Sequence, residues 1–476
     1  MFQSFEWPAQ WKVEYVTPIG KIPEPQSEDD LRPISCTNFF SKVAEHFVVD
    51  WLLEHIGDKI DFRQYGGSKG NSITHYIIEL LNFILSNQEA SEPTAALACL
   101  IDFSKAFNRQ NHNVLVTKLC DMGAPSWLLK IVMSFLKERS MVVRYKDATS
   151  KRKMLPGGGP QGTLLGLLLF LVLINDAGFT EQSNNAGEII TSKMNFKAAN
   201  EIHLKYVDDM LLAEAINLKQ TLEPHLSSAL PANFRERTGH TLPQDRSRVY
   251  KQLLQTVKYA DENDMKINFQ KTKLMIFNNS KNFDFMPHLC VEDSEIEVVE
   301  ESKLLGLIIR SDLKWTSNTD FIVKKAFHKL WILRRLKQLG TSLVNLVDIY
   351  IKRVRSVLEL AVPAWHPSLT KQEGNDIERV QRAALQIILG PHYKSYNSAL
   401  EKLKLETLED RRKLLCKKFA VKAAKHPKHR KRFVPHKPKA NSRYNQPKFR
   451  PVMCKTRRFE KSPLSYLTQL LNKDNL

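Results

Sequence analysis

The stretch Tyr206-Val207-Asp208-Asp209 decides the fold of this chain. Apolar residues flank it on both sides, a pattern that predicts a β-hairpin with the two carboxylates at its turn. Neighbouring strand side chains point to opposite faces, and a turn relaxes this rule so that both acids can approach one site. With a third carboxylate they could hold two Mg²⁺ ions about 4 Å apart for phosphoryl chemistry. Asp is also a favoured turn residue, so an acidic pair taken alone more often marks an ordinary turn.

Composition narrows the classes of protein to consider. The chain has 476 residues, of which 42% are hydrophobic, enough for about two to four structural units. A net charge of +20 favours a polyanionic partner, either nucleic acid or an anionic membrane surface. The longest apolar run, residues 164–174, is too short to span a bilayer, and the N-terminus lacks a signal-peptide layout. The six cysteines form no C-x-x-C pair, which disfavours zinc or a disulfide framework and suits a reducing cell interior.

A candidate for the third carboxylate follows an apolar run. Residues 95–101 are continuously apolar and predict a buried strand, with Asp102 at its carboxyl end. An acid there often only terminates a strand, but a two-metal site needs a carboxylate from a second strand. Phe107 follows shortly after, and could wall a sugar pocket or be a core aromatic.

Two glycine-rich segments are candidates for contact with nucleotides. Residues 63–70 combine glycines with cations, so this loop can approach a phosphate backbone closely. Residues 156–162 read P-G-G-G-P-Q-G and predict a rigid turn that feeds a buried helix. This second segment is either a platform for a base pair or template strand, or a plain helix-entry loop.

Further cations suit a phosphate-containing substrate. Lys21 and Arg32 lie in a Pro-containing extended region, where they could neutralise a triphosphate or stay on a solvated surface. Lys271 is a candidate proton donor to a leaving pyrophosphate, although such a lysine is more often simply exposed. Residues 303–309 predict another strand. Helices with cationic faces are predicted within residues 321–389, where they could contact a duplex.

The C-terminal part of the chain is strongly basic. A basic helix is predicted over residues 401–425. Glu460 is the one acid among residues 425–461, which predicts a disordered cationic segment that clamps nucleic acid without sequence preference. Within it, His429-Arg430-Lys431-Arg432 also fits a nuclear import signal.

Taken in order, these segments resemble the palm of a reverse transcriptase, and more narrowly the polymerases of non-LTR retrotransposons. Residues 102–107, D-F-S-K-A-F, resemble the segment that carries the family's first metal-binding Asp, here Asp102, and its aromatic steric gate, here Phe107. Pro160-Gln161-Gly162 resembles the motif that supports the template base and the incoming nucleotide. Residues 206–209 resemble the signature hairpin, whose first Asp binds metal and whose second completes the site.

The resemblance covers about residues 16–400 and implies an α+β fold, a right-hand polymerase with fingers, an antiparallel β palm and a helical thumb. Residues 304–306 resemble the primer grip of the palm. The expected domains are fingers with an N-terminal extension at 1–95, palm at 96–310 with insertions at 178–200 and 214–247, thumb at 311–400, and a basic helix with a largely disordered tail at 401–476.

The function implied by the resemblance is that of an RNA-directed DNA polymerase, which adds dNTPs to a primer 3′-hydroxyl by two-metal-ion catalysis. Asp102, Asp208 and Asp209 are the expected ligands of two Mg²⁺ ions, which Mn²⁺ could replace. The residues expected around the incoming nucleotide are Lys21, Arg32, Phe107, Gln161, Gly162 and Lys271. The expected partners are an RNA template, a DNA primer or target and dNTPs, with no membrane, and the expected location is intracellular, in nucleus and cytoplasm.

Three departures from the family pattern qualify this expectation. Asn108 stands where family members usually carry Asp, and Leu167 replaces a common Pro. The family's usual endonuclease domain is absent, so the chain is expected to be a truncated or partial element that polymerises without nicking its target. One alternative is an inactive nucleic-acid-binding remnant of a mobile element. Another is an RNA polymerase with the same palm, which the bulky Phe107 disfavours.

Overall fold

Five strands form the central sheet of the computed structural model, with β3 (Thr94–Ile101) in the middle. β8 (Asp209–Asn217) and β11 (Lys273–Phe277) flank β3, and both run antiparallel to it. β7 (Glu201–Tyr206) pairs antiparallel with β8, and β15 (Glu297–Val298) pairs parallel with β11. This palm sheet is therefore antiparallel except at its β11–β15 edge.

The remaining elements surround this sheet. The structure describes residues 3–22, 24–104, 106–155, 157–178, 200–221, 223–224, 240–280, 285–287, 289–436 and 447–473. The other strands in this part of the chain are β1 Val13–Gly20, β2 Leu31–Cys36, β4 Ser140–Tyr145, β5 Ala148–Thr149, β6 Lys153–Met154, β9 Glu223–Pro224, β10 His240–Leu242, β12 Phe285–Pro287, β13 Cys290–Val291, β14 Ser294–Glu295, β16 Glu301–Leu304 and β17 Leu307–Arg310. The α-helices are Phe39–Ile56, Ile73–Gln88, His112–Asp121, Ser126–Leu136, Leu164–Leu173, Leu218–Thr221, Arg248–Glu262, Thr316–Gln338, Leu343–Ile349, Ser356–Leu358, Val362–Trp365, Lys371–Leu389, Tyr396–Leu403, Leu408–Lys425, Arg457–Glu460 and Pro463–Lys473.

The palm sheet is covered on both faces, which explains the uninterrupted apolar run of β3. Ala96 and Ala98 belong to a hydrophobic cluster with the helix Ile73–Gln88. Leu97 and Cys99 point the other way, into a cluster with the helix Leu164–Leu173. A strand buried on both sides has no polar face, so its sequence does not alternate.

A second sheet lies mainly where the fingers are expected. β1 pairs antiparallel with β2 and parallel with β4. Gly20 pairs with Leu31 at the end of the β1–β2 hairpin, and Lys21 N donates to Asp30 O at 2.7 Å. Lys21 and Arg32 are thereby held at one end of the fingers hairpin.

Helices of the segment expected to form the thumb pack in the hydrophobic cluster that covers one face of the palm sheet. Thr316–Gln338 packs along Lys371–Leu389, and both bury apolar residues in the cluster that also covers β3. A capping box of Thr370 and Glu373 begins the second helix. Within the described residues, no helix combines the length and apolar character needed to cross a membrane.

The predicted disorder of the C-terminal tail is wrong for residues 426–436 and 447–473. These residues pack on the rest of the chain and bury Phe433, Phe459 and Leu467. Aromatic and aliphatic side chains scattered among the cations pack against apolar surface of the fold. The average composition of the tail is basic and does not indicate this packing. Residues 437–446 lie outside the described residues.

The insertion predicted from residue 214 begins too early, because β8 continues to Asn217. Glu214 is buried in this strand and accepts hydrogen bonds from Ser247 Oγ at 2.5 Å and Arg248 N at 2.8 Å. A buried, satisfied carboxylate therefore interrupts the apolar pattern without ending the strand. Residues 179–199 and 225–239 of the predicted insertions lie outside the described residues.

The single strand predicted at residues 303–309 is instead the β16–β17 hairpin. Its turn is formed by Leu305 and Gly306, with φ of 50° and 88°. Left-handed backbone at both positions suits a two-residue hairpin turn. The glycine marks a reversal of the chain and not a strand interior.

A buried ion pair lies beneath the β7–β8 hairpin. Lys205 Nζ of β7 is 2.9 Å from Asp61 Oδ2, and each side chain is 1% exposed. Lys205 also donates to two carbonyl oxygens just after the helix Leu164–Leu173, where a cation complements the helix dipole. Burial opposes ionisation of Asp61, but Lys205 and a neighbouring arginine outweigh it and hold the pKa of Asp61 below its usual value.

We expect Lys205→Met to lower the free energy of unfolding by about 2–4 kcal/mol, because it removes one of the two cations paired with the buried Asp61 carboxylate, leaving Arg63, and deprives two carbonyl oxygens of their donor. The matched control is Lys219→Met, which breaks an exposed pair with Glu92 and should cost less than about 1 kcal/mol. Urea unfolding at pH 7 measures both. Equal losses in the two variants would contradict a structural role for the buried pair.

Candidate active site

The β7–β8 hairpin presents the acidic pair. Tyr206 pairs with Asp209, so Val207 and Asp208 form a two-residue turn. Val207 has φ of 59°, which is unusual for a β-branched residue. Strained backbone of this kind persists only where the surroundings hold it.

Gln64 holds this turn from the loop at residues 63–67. Its Oε1 accepts hydrogen bonds from Val207 N and Gly66 N, both at 2.9 Å. Tyr65 N donates to Lys205 O at 2.8 Å. Gly66 allows the close approach, since a Cβ at this position would lie 2.6 Å from Val207 Cγ2. The glycine-rich loop therefore supports the turn, a role that its composition did not indicate.

Asp102 reaches the same end of the sheet from β3. Ile101 pairs with Met210, so the next position along β3 lies beside Asp209. The Asp102 backbone is anchored by Asn268 N, which donates to its carbonyl oxygen at 2.8 Å. The end of β3 and the β7–β8 hairpin thus bring the three carboxylates to one end of the sheet.

The three acids repel one another. Burial, and then Asp208 and Asp102, raise the pKa of Asp209 to about 6. Burial also raises the pKa of Asp102, and Asp208 adds to that rise. Neighbouring like charges and lost hydration both disfavour the ionised form. The site therefore carries negative charge that the protein only partly neutralises.

Three of the predicted cations act on this site. Lys271 and Lys21 oppose the effect of burial on the pKa of Asp102. Arg32 does the same for Asp208, whose pKa burial raises. All three side chains are exposed, so they border the acids on the solvent side.

The P-G-G-G-P-Q-G turn connects the fingers to the palm. Gln161 O accepts from Ser35 N of β2 at 3.0 Å, and Gly162 has φ of 101°. Gly159 N donates to Phe107 O at 2.9 Å. Thr163 then caps the helix Leu164–Leu173 by accepting from its backbone. Hydrogen bonds to β2 and to Phe107 therefore hold residues 159–161 of the turn in place.

Phe107 lies beside this turn. Its ring stacks on Phe170, with centroids 4.6 Å apart and planes at 25°. Gln161 lines a cavity of about 1300 Å³ between the turn and the fingers sheet, and neither Phe107 nor the three aspartates is among its described lining residues. The structure therefore groups Lys21, Arg32 and Lys271 with the acids, while Gln161, Gly162 and Phe107 form a separate neighbouring group.

Among the described residues, no three His, Cys, Asp or Glu side chains are arranged as a metal site. The chemistry of Asp102, Asp208 and Asp209 nonetheless fits a hard divalent cation, because carboxylate oxygens are its preferred ligands. The raised pKa of Asp209 adds a physical reason, since a bound cation would offset the repulsion that raises it.

Sequence reasoning missed two supports of the site. Gln64 was grouped with the fingers, and its hydrogen bond to Val207 could not be inferred without knowing which segment approaches the turn. Asp61 and Lys205 are far apart in sequence, and neither lies in a motif. A lysine placed between Leu204 and Tyr206 in a predicted strand was the one available signal of a buried partner.

The sequence model of the reverse transcriptase (RNA-dependent DNA polymerase) family matches residues 22–309, more than half of the chain. The chain belongs to the reverse transcriptase family. Membership confirms the predicted α+β fold of a right-hand polymerase.

Curated relatives come from insect mobile elements. The chain is 29% identical over 173 residues to a probable RNA-directed DNA polymerase from transposon BS of Drosophila melanogaster, covering 36% of this chain and 19% of that protein. It is 24% identical over 412 residues to the RNA-directed DNA polymerase from mobile element jockey of Drosophila funebris, covering 85% and 40%. These relatives confirm the predicted resemblance to non-LTR retrotransposon polymerases. The chain spans about a fifth of the length of the first relatives it matches.

Solved structures similar to this chain include apo telomerase from Candida tropicalis. The TM-score is 0.42 and the identity 11%, with 88% of this chain and 67% of that chain covered. Telomerase from Candida albicans in complex with a fragment of telomeric RNA gives a TM-score of 0.36 at 13% identity, with 88% of this chain and 63% of that chain covered.

We expect Asp209→Asn to stabilise the metal-free protein at pH 8 by on the order of 1–2 kcal/mol. The pKa of Asp209 in the folded state is raised to about 6, so this carboxyl ionises at lower pH in the unfolded state. The free energy of unfolding therefore falls as pH rises from the unfolded pKa toward the folded pKa, and stays low above it. Asparagine removes that penalty, and its advantage should shrink as pH falls from 8 to 5.

Urea unfolding in EDTA across this pH range checks the prediction. Asp121→Asn is the control, because Asp121 is an exposed acid at the end of the helix His112–Asp121. A pH-independent difference between Asp209→Asn and wild type would show that charge repulsion is not its cause.

Proposed function

We propose that the chain is an RNA-directed DNA polymerase that extends a primer 3′-hydroxyl with dNTPs, copying an RNA template. The observation that carries the proposal is the meeting of Asp102, Asp208 and Asp209 at one end of the palm sheet, where burial and then the charges of Asp208 and Asp102 raise the pKa of Asp209. Membership of the reverse transcriptase family and relatives named as RNA-directed DNA polymerases support it.

Asp102 and Asp208 would hold two Mg²⁺ ions with the help of Asp209, and Mn²⁺ offers the same ligand preference. When bound, the metals lower the pKa of the primer hydroxyl and stabilise the leaving pyrophosphate. In the reaction the primer 3′-oxygen forms a bond to the α-phosphorus of the dNTP. The bond to the bridging oxygen breaks, and pyrophosphate leaves.

The cations beside the acids neutralise the triphosphate. Lys21 and Arg32 lie at the end of the fingers hairpin, close enough to oppose the rise in pKa that burial causes at Asp102 and Asp208 respectively. Fixed positive charge at this position stabilises negative charge that develops on the phosphates. Lys271, which also acts on the pKa of Asp102, donates a proton to the leaving pyrophosphate.

Phe107 and the P-G-G-G-P-Q-G turn select and align the nucleotide. Stacking on Phe170 orients the Phe107 ring, and Gly159 N donates a hydrogen bond to the Phe107 carbonyl oxygen, which fixes the backbone. The ring would then lie against the sugar of the incoming nucleotide. A bulky ring excludes a 2′-hydroxyl and so favours dNTPs. Gln161 and Gly162 support the nascent base pair from the turn.

The remaining parts bind the template and primer. We assign the fingers to residues 1–95, the palm to 96–310 and the thumb to 311–400. Lys325 and Arg353 lie close enough to Lys329 to lower its pKa, in addition to burial. A duplex phosphate backbone relieves this repulsion. The nucleus and cytoplasm are where the chain meets these substrates.

We expect Asp208→Ala to lower dTTP incorporation on poly(rA)/oligo(dT) by about 10³-fold or more, since several kcal/mol of charge stabilisation are lost. Primer extension with Mg²⁺ measures this loss. Asp121→Ala, which removes an exposed acid outside the site, should extend primer like wild type. Equal incorporation by Asp208→Ala and wild type would exclude the catalytic assignment. A wild-type chain that binds the primer–template without extending it would identify an inactive remnant.

We expect Phe107→Val to reduce discrimination between dTTP and UTP by about 10- to 100-fold, because the smaller side chain admits the 2′-hydroxyl. The ratio of kcat/KM for the two nucleotides gives the result. Phe47→Val is the matched control, as Phe47 is exposed on the helix Phe39–Ile56. An unchanged ratio in Phe107→Val would exclude Phe107 as a steric gate, but it would not contradict the proposed polymerase function.

A further inference from the structure

The segment 426–433, which follows the helix Leu408–Lys425, turns back onto the palm. The His429 ring stacks on the His75 ring, with centroids 3.8 Å apart and planes at 15°. His429 Nε2 is 2.8 Å from Asn71 Oδ1. The His426 ring lies over Gly70, where a Cβ would come within 2.3 Å of Nε2. A segment rich in cations is thus docked in a fitted position on the protein itself.

Two cations of this segment converge on Tyr65. Lys428 Nζ lies 3.6 Å from the centroid of the Tyr65 ring, and Arg432 donates to Tyr65 Oη at 3.3 Å. Arg432 also forms an ion pair with Glu79, in which the two side chains are 5% and 4% exposed. Cation–π contacts and ion pairs strengthen when water is excluded, while the same burial lowers the pKa of Lys428 to about 7, so the lysine is cationic below that pH. Tyr65 is itself 3% exposed, so both contacts are shielded from water.

Tyr65 belongs to the loop that supports the acidic turn. The residues on either side of it, Gln64 and Gly66, contact Val207 directly. Tyr65 also packs edge-to-face on Tyr76, which contacts Tyr206 in the same way, with centroids 5.8 Å and 6.3 Å apart. A continuous set of contacts therefore runs from the C-terminal segment to Tyr206 and Val207 at the start of the turn.

We propose that residues 426–433 position the Tyr206–Asp209 turn by clamping Tyr65 through Lys428 and Arg432. In this assignment Lys428 and Arg432 are positioning residues that act through the loop 63–67 and do not touch substrate. Lys428 and Arg432 lie outside residues 22–309, the part of the chain that matches the family model. The basic composition suggested that these two side chains contact nucleic acid, and the positioning role replaces that expectation. The kinetic part of the proposal rests on the proposed polymerase function.

The test compares substitutions of two lysines in one segment. Lys428 Nζ is buried and has no hydrogen-bond partner among the described residues, so Lys428→Met removes the cation without leaving a polar atom unpaired. Lys431→Met removes the same charge from an exposed side chain. Lys428→Arg keeps a cation that can stack on the ring. All three are made in the full chain and assayed on poly(rA)/oligo(dT) with dTTP and Mg²⁺.

We expect Lys428→Met to lower kcat by about 10- to 100-fold, because small misplacement of catalytic groups is costly. Its KM for dTTP and its affinity for the duplex should stay within about twofold of wild type, since uniform binding is unaffected. Lys428→Arg should recover most of kcat. Lys431→Met should keep the wild-type kcat. The same kcat for Lys428→Met and Lys431→Met, or a loss of duplex affinity in Lys428→Met at unchanged kcat, would overturn the proposal.

Amide hydrogen exchange separates this proposal from the proposed function. The Val207 amide is protected by Gln64 Oε1, so its exchange should accelerate in Lys428→Met and stay at the wild-type rate in Lys431→Met. This readout needs no activity. If wild type extends no primer, the polymerase proposal fails, and exchange at Val207 alone decides whether the clamp exists. Unchanged exchange in Lys428→Met would refute the clamp even in an active enzyme.

Discussion

Gathering three partly buried carboxylates at one end of a sheet is the constraint that the surrounding structure serves. Each ionised acid loses hydration, and each adds repulsion to the others, which is why the pKa of Asp209 is about 6. The strained backbone of Val207 adds to this cost. Such an arrangement persists only where neighbouring segments hold it more firmly than it can relax. The supports of the hairpin are therefore as necessary to the site as the acids.

These supports come from segments that are distant in sequence. The Lys205–Asp61 pair joins β7 to the segment just before the loop 63–67, and Lys205 also contacts the end of the helix Leu164–Leu173. Gln64 supplies the acceptor that Val207 N lacks within a two-residue turn. Because the partners are side chains with fixed geometry, a shift of the loop carries the turn with it. Rigid coupling of this kind is what a site needs when its ligands must be placed within a fraction of an ångström.

What the sequence could predict depended on whether the cause was local. The apolar run of β3 and the acidic pair each determine their own element, so the hairpin, the buried strand and Asp102 at its end were predictable. Gln64 and Lys428 take their roles from partners far along the chain, and no local pattern marks them. The β16–β17 hairpin was missed for a different reason. Its turn contains Leu305, whose φ of 50° is rare for leucine, so only Gly306 indicated a turn.

The docked segment also changes the meaning of the net charge. A charge of +20 favours a polyanionic partner, but part of it is committed inside the fold. Lys205, Arg139 and Arg432 are buried in ion pairs with acids. Cations of this kind satisfy buried carboxylates and have little free charge to offer a phosphate. Attraction to the proposed nucleic-acid partner would therefore rest on exposed cations such as Lys325. A surface map of charge is a better guide to a binding face than composition is.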